Sequence, residues 1–252
     1  MKIAVLGSGS KGNCTYIEYK NTKILIDFGL PVSYVKKKLN KIGINYKDID
    51  GILISHTHID HIKGLSTLYK LVSPALYITE GMQEVKKITS NYYCLKEEGI
   101  KLKDLFINTI PTSHDVTESV GFIIKGGEKE LVYITDTGYI NHRKISALKN
   151  KHLYVLESNH DAEMLLKGTY PYHIKQRILS DIGHLSNKEA SRYLAELIGE
   201  KTKSIILAHL SEQNNCEELA LKTLKDVLNK KNKNVDKIVL SKQHEATELI
   251  EV

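Results

Sequence analysis

The sequence contains few of the residues that define special structural classes. Its 252 residues include only three cysteines, four prolines and no tryptophan. The cysteines, at positions 14, 94 and 216, are too few and too far apart for a disulfide framework or a CxxC zinc site. No apolar run approaches the roughly 18–20 residues that a membrane span requires, and the first residues lack the apolar stretch of a signal peptide. We therefore expect a reduced, cytoplasmic protein that does not enter a membrane.

The composition is that of a globular chain with a slight excess of positive charge. Hydrophobic residues make up 41% and charged residues 26%, which allows a sizeable core and excludes a disordered or fibrous chain. The formal net charge of +6 is compatible with a polyanionic substrate. A lysine-rich composition without any such substrate explains the same charge equally well. Neither a repeat nor a linker divides the chain, and we expect one domain over residues 1–252.

Short strands dominate the first half of the chain, and helices become frequent after residue 136. Apolar runs predict strands at residues 3–6, 15–18, 23–27, 52–55, 76–79, 105–110, 120–125, 131–135, 153–156, 204–208 and 237–240. Apolar residues at helical spacing predict helices at residues 32–42, 62–72, 82–89, 144–149, 172–179, 187–197 and 217–229. Strand meanders with helices added outside them indicate an α/β fold, in which two sheets pack face to face. We expect a four-layer αββα sandwich.

The most informative segment is HTHIDH at positions 56–61, directly after an apolar strand. It places three imidazoles, those of His56, His58 and His61, and the carboxylate of Asp60 within six residues. On a turn after a strand, these side chains can point into one cleft, which a regular helix or strand would prevent. Imidazole and carboxylate ligands suit Zn²⁺, Mn²⁺ or iron. Solvated histidines on a loop are the alternative, but HxHxDH would arise by chance in only about one such chain in a thousand.

Four further residues follow predicted strands at distant positions. They are Asp27 in KILIDFG, His114 in TSH, Asp136 in YITDTG and His209 in IILAH. Taken singly, His114 is typical of a surface histidine, and Asp27 and Asp136 are typical of turns. A site for two metals changes this interpretation, because such a site needs ligands from several strands.

In their order along the chain, HTHIDH and these four segments resemble the signature of the metallo-β-lactamase superfamily. The resemblance extends over essentially the whole chain. It implies the αββα sandwich, the activity of a metal-dependent hydrolase and two divalent metal ions (zinc or manganese, with iron as an alternative). It implies ligands His56, His58 and His114 for one metal, ligands Asp60, His61 and His209 for the other, and Asp136 as the bridge. Asp27 would orient the metal-binding loop from behind. Two such cations can hold both oxygens of an in-line displacement.

A predicted helix start in SDIGHLSNKEA, positions 180–190, indicates an anionic substrate. Ser186 or Asn187 is a suitable N-cap, and Glu189 stands three residues after Ser186, as in a capping box. Together with His184, the free amides of a helix N-terminus form an anion site. The segment resembles one found in the tRNA 3′-processing and nuclease branches of the superfamily. This implies that His184 contacts the scissile phosphate and that Ser186 and Asn187 bind substrate; an ordinary capped helix is the alternative.

Glu157, in the segment LESNHD, resembles the acidic residue that pairs with this histidine in the same branches. The resemblance implies that Glu157 keeps His184 protonated, so that His184 can donate a proton to the leaving oxygen. Asp60, His184 and Glu157 are therefore the candidate catalytic residues. A polar loop after a strand is the alternative interpretation of Glu157.

The turn GSGSKGNC at positions 7–14 favours a hairpin over a phosphate cradle, because it lacks the spacing of a P-loop. With LESNHD, GHLSN and AHLSEQNN, it resembles the YycJ/WalJ group of the superfamily, cytoplasmic bacterial proteins associated with 5′→3′ exonuclease activity on DNA. The stretch between Asp136 and His184 is too short for the large inserted domain of the RNA-degrading nucleases. A nucleic acid would then be held by lysines and tyrosines of the compact body. The candidates are Lys11, Lys63, Lys167, residues 230–233, Tyr92, Tyr93, Tyr170 and Tyr172.

The leading hypothesis is a two-metal phosphodiesterase that hydrolyses nucleic acid, acting as a 5′→3′ exonuclease on DNA. One alternative keeps the chemistry and changes the substrate, to a cyclic nucleotide or another small phosphodiester, or to RNA that is being processed. A second alternative, of a different class, is a metal-stabilised regulatory binding module. The presence of every expected metal ligand argues against that module.

Overall fold

The computed structural model describes residues 1–252, whose fourteen strands form two seven-stranded sheets. The first sheet contains β1 (Lys2–Gly7), β2 (Cys14–Tyr19), β3 (Thr22–Ile26), β4 (Gly51–Leu53), β5 (Ala75–Ile78), β6 (Tyr92–Cys94) and β14 (Ile250–Glu251), in the order β14-β1-β2-β3-β4-β5-β6. The second contains β7 (Ile100–Leu102), β8 (Leu105–Pro111), β9 (Val120–Gly126), β10 (Lys129–Ile134), β11 (Leu153–Glu157), β12 (Ser204–Ala208) and β13 (Lys237–Leu240), in the order β13-β12-β11-β10-β9-β8-β7. Each sheet thus combines antiparallel and parallel strands.

The parallel parts of the two sheets determine where functional loops can lie. Strands β3 to β6 pair in parallel, as do strands β10 to β13. Parallel neighbours end at the same edge of their sheet, so the loops that follow them are close together. The loops after β3, β4, β10, β11 and β12 carry most of the residues singled out above.

The core lies between the two sheets, as period-2 alternation along the strands requires. In β10, Leu131 and Tyr133 join a cluster of 41 buried residues that includes side chains of both sheets. Val132 and Ile134, which alternate with them, join a cluster of 19 residues on the other face, where helices pack. Both faces of the second sheet are therefore covered, which accounts for the continuous apolar runs of its central strands.

Nine helices connect or flank the strands. They are α1 (Val32–Lys41), α2 (Ile59–Ile62), α3 (Leu65–Leu68), α4 (Gln83–Lys86), α5 (Ile145–Leu148), α6 (Ala162–Lys167), α7 (Tyr172–Ile178), α8 (Asn187–Leu197) and α9 (Glu217–Lys230). Val32, Val35 and Leu39 form the buried stripe of α1 against the first sheet, and α8 and α9 cover the second. The predicted four-layer αββα arrangement is confirmed. None of these helices has both the length and the apolar character needed to cross a bilayer.

The prediction of one helix over residues 62–72 is wrong. The chain forms two separate single turns there, because the carbonyl groups that would continue a helix have other partners. The carbonyl of Asp60 accepts a hydrogen bond from the Asn13 amide at 2.8 Å, and that of His61 accepts one from the Phe28 amide at 2.8 Å. These bonds fasten the metal-binding motif to two loops of the first sheet.

The remaining differences involve short elements. The predicted helix at residues 82–89 is a single turn, α4, which begins without a side-chain cap. Strands β6, β7 and β14 and helix α6 were not predicted. The three strands have two or three residues each, too few for an alternating pattern to be visible. The hairpin expected after β1 is present, because Gly7 pairs with Cys14 and β1 and β2 are antiparallel.

We predict that Gly29→Ala disrupts the loop between β3 and α1. A Cβ at this position would lie 1.6 Å from the carbonyl oxygen of Asp60, so the backbone of one of the two loops must move. Because overpacking costs about 1–3 kcal/mol even where side chains can adjust, we expect a loss of at least about 3 kcal/mol in the free energy of unfolding. Urea denaturation of the chelator-treated protein measures it.

Gly81→Ala is the matched control. A Cβ at Gly81 meets only the flexible carboxylate end of Glu118, so the expected loss is below about 1 kcal/mol. Equal stability of the two variants would show that the contact between Gly29 and Asp60 does not constrain the fold.

Candidate metal centre

Seven imidazole and carboxylate side chains that the sequence predicted as ligands converge at one place between the two sheets. His56 and His58 follow β4, and α2 contributes Asp60 and His61. His114, Asp136 and His209 follow β8, β10 and β12, and the seven form overlapping groups whose ligand atoms lie within 4.8 Å of one another: His56, His58 and His114; His56, His61 and Asp136; and Asp60, His61 and His209. The structure therefore assembles the whole predicted set.

One part of the cluster consists of three imidazoles. The ring centroids of His56 lie 4.8 Å from His58 and 5.1 Å from His114, and those of His58 and His114 are 4.9 Å apart. His114 Nε2 approaches His58 Nδ1 at 3.2 Å. Three histidines at this spacing are a common ligand set for zinc.

The other part combines a carboxylate with two imidazoles. Asp60 Oδ2 lies 3.4 Å from His61 Nε2 and 3.9 Å from His209 Nε2. Asp136 lies between the two parts, with Oδ2 at 3.4 Å from His61 Nε2 and Oδ1 at 3.9 Å from His114 Nε2. A ligand shared by two cations would occupy such a position.

The hydrogen bonding of the cluster shows that these side chains fit divalent cations. His56 Nε2, Asp136 Oδ2 and His209 Nε2 are buried and have no hydrogen-bonding partner in the protein. Most buried polar atoms in proteins have a partner, and each one without costs about 1–3 kcal/mol. Cations held by nitrogen and oxygen ligands would satisfy these atoms, as they do in zinc and manganese sites.

A buried carboxylate lies behind the cluster and orients it. Asp27, fully buried, has Oδ2 at 2.8 Å from His61 Nδ1, so His61 Nε2 faces the ligands. Ser55 donates to Asp27 through its amide and its hydroxyl, and its Oγ lies 3.1 Å from His56 Nδ1. The prediction that Asp27 supports the loop from behind is confirmed by these contacts.

Three residues of the cluster and its support have a left-handed backbone. The φ angles are +60° for Asp27, +56° for Asp136 and +54° for His209. This conformation costs residues other than glycine of order 1–3 kcal/mol and is concentrated at functional sites. Each of the three follows a strand and turns its side chain into the gap between the sheets. The strained backbone conformation therefore occurs where the ligand side chains converge.

Two polar residues that the sequence analysis did not assign to the site also contact it. Asn13 Nδ2 donates to Asp60 Oδ2 at 3.2 Å and lies 3.0 Å from His61 Nε2. Asp115 Oδ1 lies 3.5 Å from His58 Nε2, and its Oδ2 accepts a hydrogen bond from Arg177. Asp115 could have been found by its position next to His114, whereas nothing local marks Asn13 beyond its place in an unusual turn.

Glu157 and His184 form the predicted pair beside the metal centre. Glu157 is fully buried, and its Oε2 lies 3.0 Å from His184 Nδ1. Its Oε1 accepts hydrogen bonds from the amides of Thr137 at 2.8 Å and Leu185 at 3.1 Å. The His184 ring lies 5.1 Å from that of His114. The pair is thus held at the edge of the cluster, and His184 Nε2 is the ring nitrogen that does not face Glu157.

A glycine allows His184 to approach the metal centre. A Cβ at Gly138 would lie 2.2 Å from the carbonyl oxygen of Asp181, so the loop before His184 can pack on the loop after Asp136 only if position 138 is glycine. The Gly138 amide also donates to the Ser113 carbonyl at 2.9 Å. The sequence Asp-Thr-Gly thereby joins three of the loops that form the site.

Burial and mutual attraction set the protonation of the cluster. Burial favours the neutral forms of Asp136 and Glu157, but the imidazoles around them outweigh it. His209 and His61 hold the pKa of Asp136 well below its usual range, and His184 lowers the pKa of Glu157 to about 2. Burial works against the charge on His209 as well, yet Asp136 raises its pKa to about 10. The carboxylates are therefore anionic at neutral pH, while His209 must lose a proton before it binds a cation.

Ser186 and Asn187, predicted to bind substrate, have different surroundings. Ser186 is the N-cap of α8 and forms the predicted capping box with Glu189. The side chain of Asn187 is buried among others, accepting from Ser158 at 2.6 Å and from Asn215 at 2.9 Å. Ser186 lies two residues after His184, whereas the Asn187 side chain points into the protein. The contacts of Asn187 therefore do not favour a substrate role for its side chain.

Of the lysines considered for holding a nucleic acid, those in residues 230–233 lie at the wrong end of the sheet. Residues 230–233 lead into β13, whose first residue pairs with the first residue of β12, at the end of the sheet opposite to His209. Lys11 forms an ion pair with Glu212, and Lys167 forms one with Glu163. Lys63 is exposed and follows α2, which places it next to the metal-binding motif.

The stacking candidates among the tyrosines differ in exposure. Tyr93 is half exposed and stacks on Tyr77 at 5.1 Å, on an edge strand of the first sheet. Tyr172 is 75% exposed at the start of α7, the helix whose Arg177 contacts Asp115. Tyr172 therefore belongs to an element that borders the site, whereas Tyr93 does not.

The chain is similar to curated proteins and to a solved structure over nearly its full length. It is 36% identical over 238 residues to the exodeoxyribonuclease YycJ of Bacillus anthracis, covering 92% of this chain and 90% of the relative. It is 38% identical over 233 residues to the exodeoxyribonuclease WalJ of Streptococcus pneumoniae serotype 2, covering 88% and 86%. The crystal structure of the metallo-β-lactamase fold protein YhfI from Bacillus subtilis matches this fold with a TM-score of 0.76. The match covers 98% of each of the two chains, at 18% sequence identity.

A family model described as the beta-lactamase superfamily domain matches residues 22–210 of the chain. That range begins with β3 and ends just after β12, so it includes all seven converging side chains. The resemblance seen in the sequence is thereby confirmed. The chain belongs to the metallo-β-lactamase superfamily and, within it, to the family of the YycJ and WalJ exodeoxyribonucleases.

Proposed function

We propose that this protein is a two-metal phosphodiesterase that hydrolyses nucleic acid, and that it degrades DNA from the 5′ end. The observation that carries the proposal is the Glu157–His184 pair, held 3.0 Å apart beside the metal cluster. The thiolate that leaves a thioester needs no such group next to the ligands, whereas the alkoxide that leaves a phosphodiester needs a proton. The similarity to two exodeoxyribonucleases over about nine-tenths of their length supports the same substrate class.

The ligand groups would hold two divalent cations. His56, His58 and His114 would bind one, and Asp60, His61 and His209 would bind the other, with Asp136 shared between them. Bound cations of this kind supply a nucleophile at neutral pH and stabilise the charge that develops on a phosphoryl group. Nitrogen and oxygen donors without thiolates favour zinc or manganese, and they also admit iron.

The protein side chains contribute positioning and a proton. The Glu157 carboxylate holds His184 through Nδ1, which fixes the orientation of the ring and leaves Nε2 as the donor to the leaving oxygen. Asp27 and Asn13 hold the second ligand group from two sides, through His61 and Asp60. Rigid placement of this kind reduces the reorganisation needed during the reaction.

Exposed apolar side chains close to the site residues favour a long polymeric substrate. Ile59 is 68% exposed within the metal-binding motif, and Tyr139, 42% exposed, follows Asp136 by three residues. Ile182, 47% exposed, precedes His184 by two residues. The ring of Tyr139 offers a face on which a nucleobase can stack, and Ile59 and Ile182 add exposed apolar contacts near the site.

Digestion of end-labelled substrates tests the proposed function. We expect the manganese- or zinc-loaded protein to shorten 3′-labelled DNA progressively and to release the label of 5′-labelled DNA at once, because cleavage begins at the 5′ end. Matched RNA oligonucleotides and bis-p-nitrophenyl phosphate measure the alternatives in the same assay. Turnover of bis-p-nitrophenyl phosphate alone would indicate a small-molecule enzyme, and absence of all turnover would indicate a binding module.

Asp60→Ala tests whether the second ligand group serves catalysis. Removing this carboxylate takes away one of three ligands, and we expect kcat on DNA to fall on the order of a thousandfold, about 4 kcal/mol. Metal content by plasma mass spectrometry should fall from two ions towards one. Asp236→Asn, at an exposed carboxylate that pairs with Lys203, is the control and should retain both properties. Full activity of a metal-loaded Asp60→Ala protein would contradict the proposal.

The role of His184 is tested by its dependence on the leaving group. On DNA, whose leaving alkoxide needs a proton, we expect His184→Ala to lower kcat by a factor of about 10²–10⁴. On bis-p-nitrophenyl phosphate, whose nitrophenolate leaves without a proton, the loss should be below tenfold. Glu157→Gln should show the same pattern in weaker form. Equal losses on both substrates, at unchanged metal content, would mean that His184 is not the proton donor.

A further inference from the structure

A small cavity borders His184. Its volume is about 230 Å³, and the side chains that line it include His160, His184, Ser186, Lys188 and Arg192. This volume is below the range of about 300–1,000 Å³ that holds drug-sized ligands. The cavity is therefore of a size for a phosphate group rather than for a whole nucleotide.

His160 in this cavity lacks the partners that a buried histidine needs. The residue is 1% exposed, and neither Nδ1 nor Nε2 has a hydrogen-bonding partner in the protein. Its backbone is held firmly, because its carbonyl accepts from the Asn187 amide at 2.8 Å. Burial lowers the pKa of His160 to about 4, so the ring is neutral at physiological pH. A neutral imidazole with two free nitrogens is ready to donate one hydrogen bond to a ligand and to accept another.

The other lining side chains make the cavity suitable for an anion. Lys188 and Arg192 stand four residues apart on α8, and neither is paired with a carboxylate. The helix has eleven residues, and its N-terminus adds a favourable partial charge. Glu189 also lines the cavity, but its carboxylate accepts from the Ser186 amide at 3.1 Å and from the hydroxyl at 2.8 Å. Asp181, the other acidic residue here, is exposed.

The direction of the reaction indicates which phosphate would enter the cavity. His184 would protonate the leaving oxygen, which in a 5′→3′ exonuclease is the 3′ oxygen of the terminal nucleotide. In-line displacement places that nucleotide on the His184 side of the metal centre, opposite the nucleophile. Because His184 also lines the cavity, the 5′ end of that nucleotide is the part of the substrate that can reach it.

We propose that this cavity binds the terminal 5′-phosphate of the substrate, through Arg192, Lys188 and His160. The proposal rests on the proposed function and specifies the substrate end. The guanidinium of Arg192 can donate two parallel hydrogen bonds to a phosphate, and Lys188 adds a second positive charge. Occupation of the cavity places the scissile phosphate one nucleotide away at the metal centre, so the product is a 5′-mononucleotide.

The test compares one DNA oligonucleotide with a 5′-phosphate or a 5′-hydroxyl, labelled at the 3′ end. For the metal-loaded wild type, we expect kcat/KM to be at least tenfold higher for the phosphorylated end. In Arg192→Ala and Lys188→Ala, the ratio between the two ends should fall to about twofold or less. His160→Gln, which keeps a donor and an acceptor, should retain more of the ratio than His160→Ala. Lys37→Ala, at an exposed lysine on α1, is the control and should keep the full ratio.

Binding to the Asp60→Ala protein separates this inference from the proposed function. Fluorescence anisotropy should show at least fivefold tighter binding of the 5′-phosphorylated strand, and Arg192→Ala in the same background should remove the difference. Equal rates and equal binding for the two ends would overturn the inference while leaving the nuclease proposal intact. Absence of turnover on every substrate, with the binding difference present, would overturn the nuclease proposal alone.

Discussion

The structure depends on bringing imidazoles and carboxylates together in a buried place where the protein offers them no partners. Three atoms that face the cluster, on His56, Asp136 and His209, are buried without a hydrogen bond. Left in this state, they would destabilise the fold by several kcal/mol in total. Cations shared between the ligand groups would reverse this effect and would couple folding to metal binding. The other features of the site serve to maintain this arrangement.

The fold produces the arrangement by ending strands at one place. Parallel pairing aligns the ends of β10, β11 and β12, and the corresponding edge of the first sheet faces them across the core. Asp27, Asp136 and His209 leave their strands in the left-handed conformation, which turns their side chains inward. The same edge supplies the Glu157–His184 pair and, beyond it, the cavity that contains His160. His184 therefore adjoins both the metal ligands and the proposed phosphate site.

Much of this could be predicted from the sequence, because the informative residues follow apolar strands. HTHIDH carries four ligands within six positions, and the remaining ligands each end a recognisable strand. The capping box of α8 was visible in the spacing of Ser186 and Glu189. The failures concern contacts between distant segments. The helix predicted from residue 62 is broken by hydrogen bonds from Asn13 and Phe28, which no local pattern reveals.

The sequence also cannot show which polar side chains are buried without a hydrogen-bonding partner. LESNHD does not show that both nitrogens of His160 are buried without a partner, since that depends on how α8 packs over the loop. The lysines at residues 230–233 form a basic run, yet sheet order places them at the opposite end from the site. The distribution of charge along the sequence therefore did not show which lysines lie near the site, whereas the topology did.

The most direct test of the account is a crystal structure of the manganese- or zinc-loaded protein with anomalous diffraction data. The account predicts two anomalous peaks, one among His56, His58 and His114 and the other among Asp60, His61 and His209, with Asp136 contacting both. A single peak, or peaks outside these two groups, would contradict it.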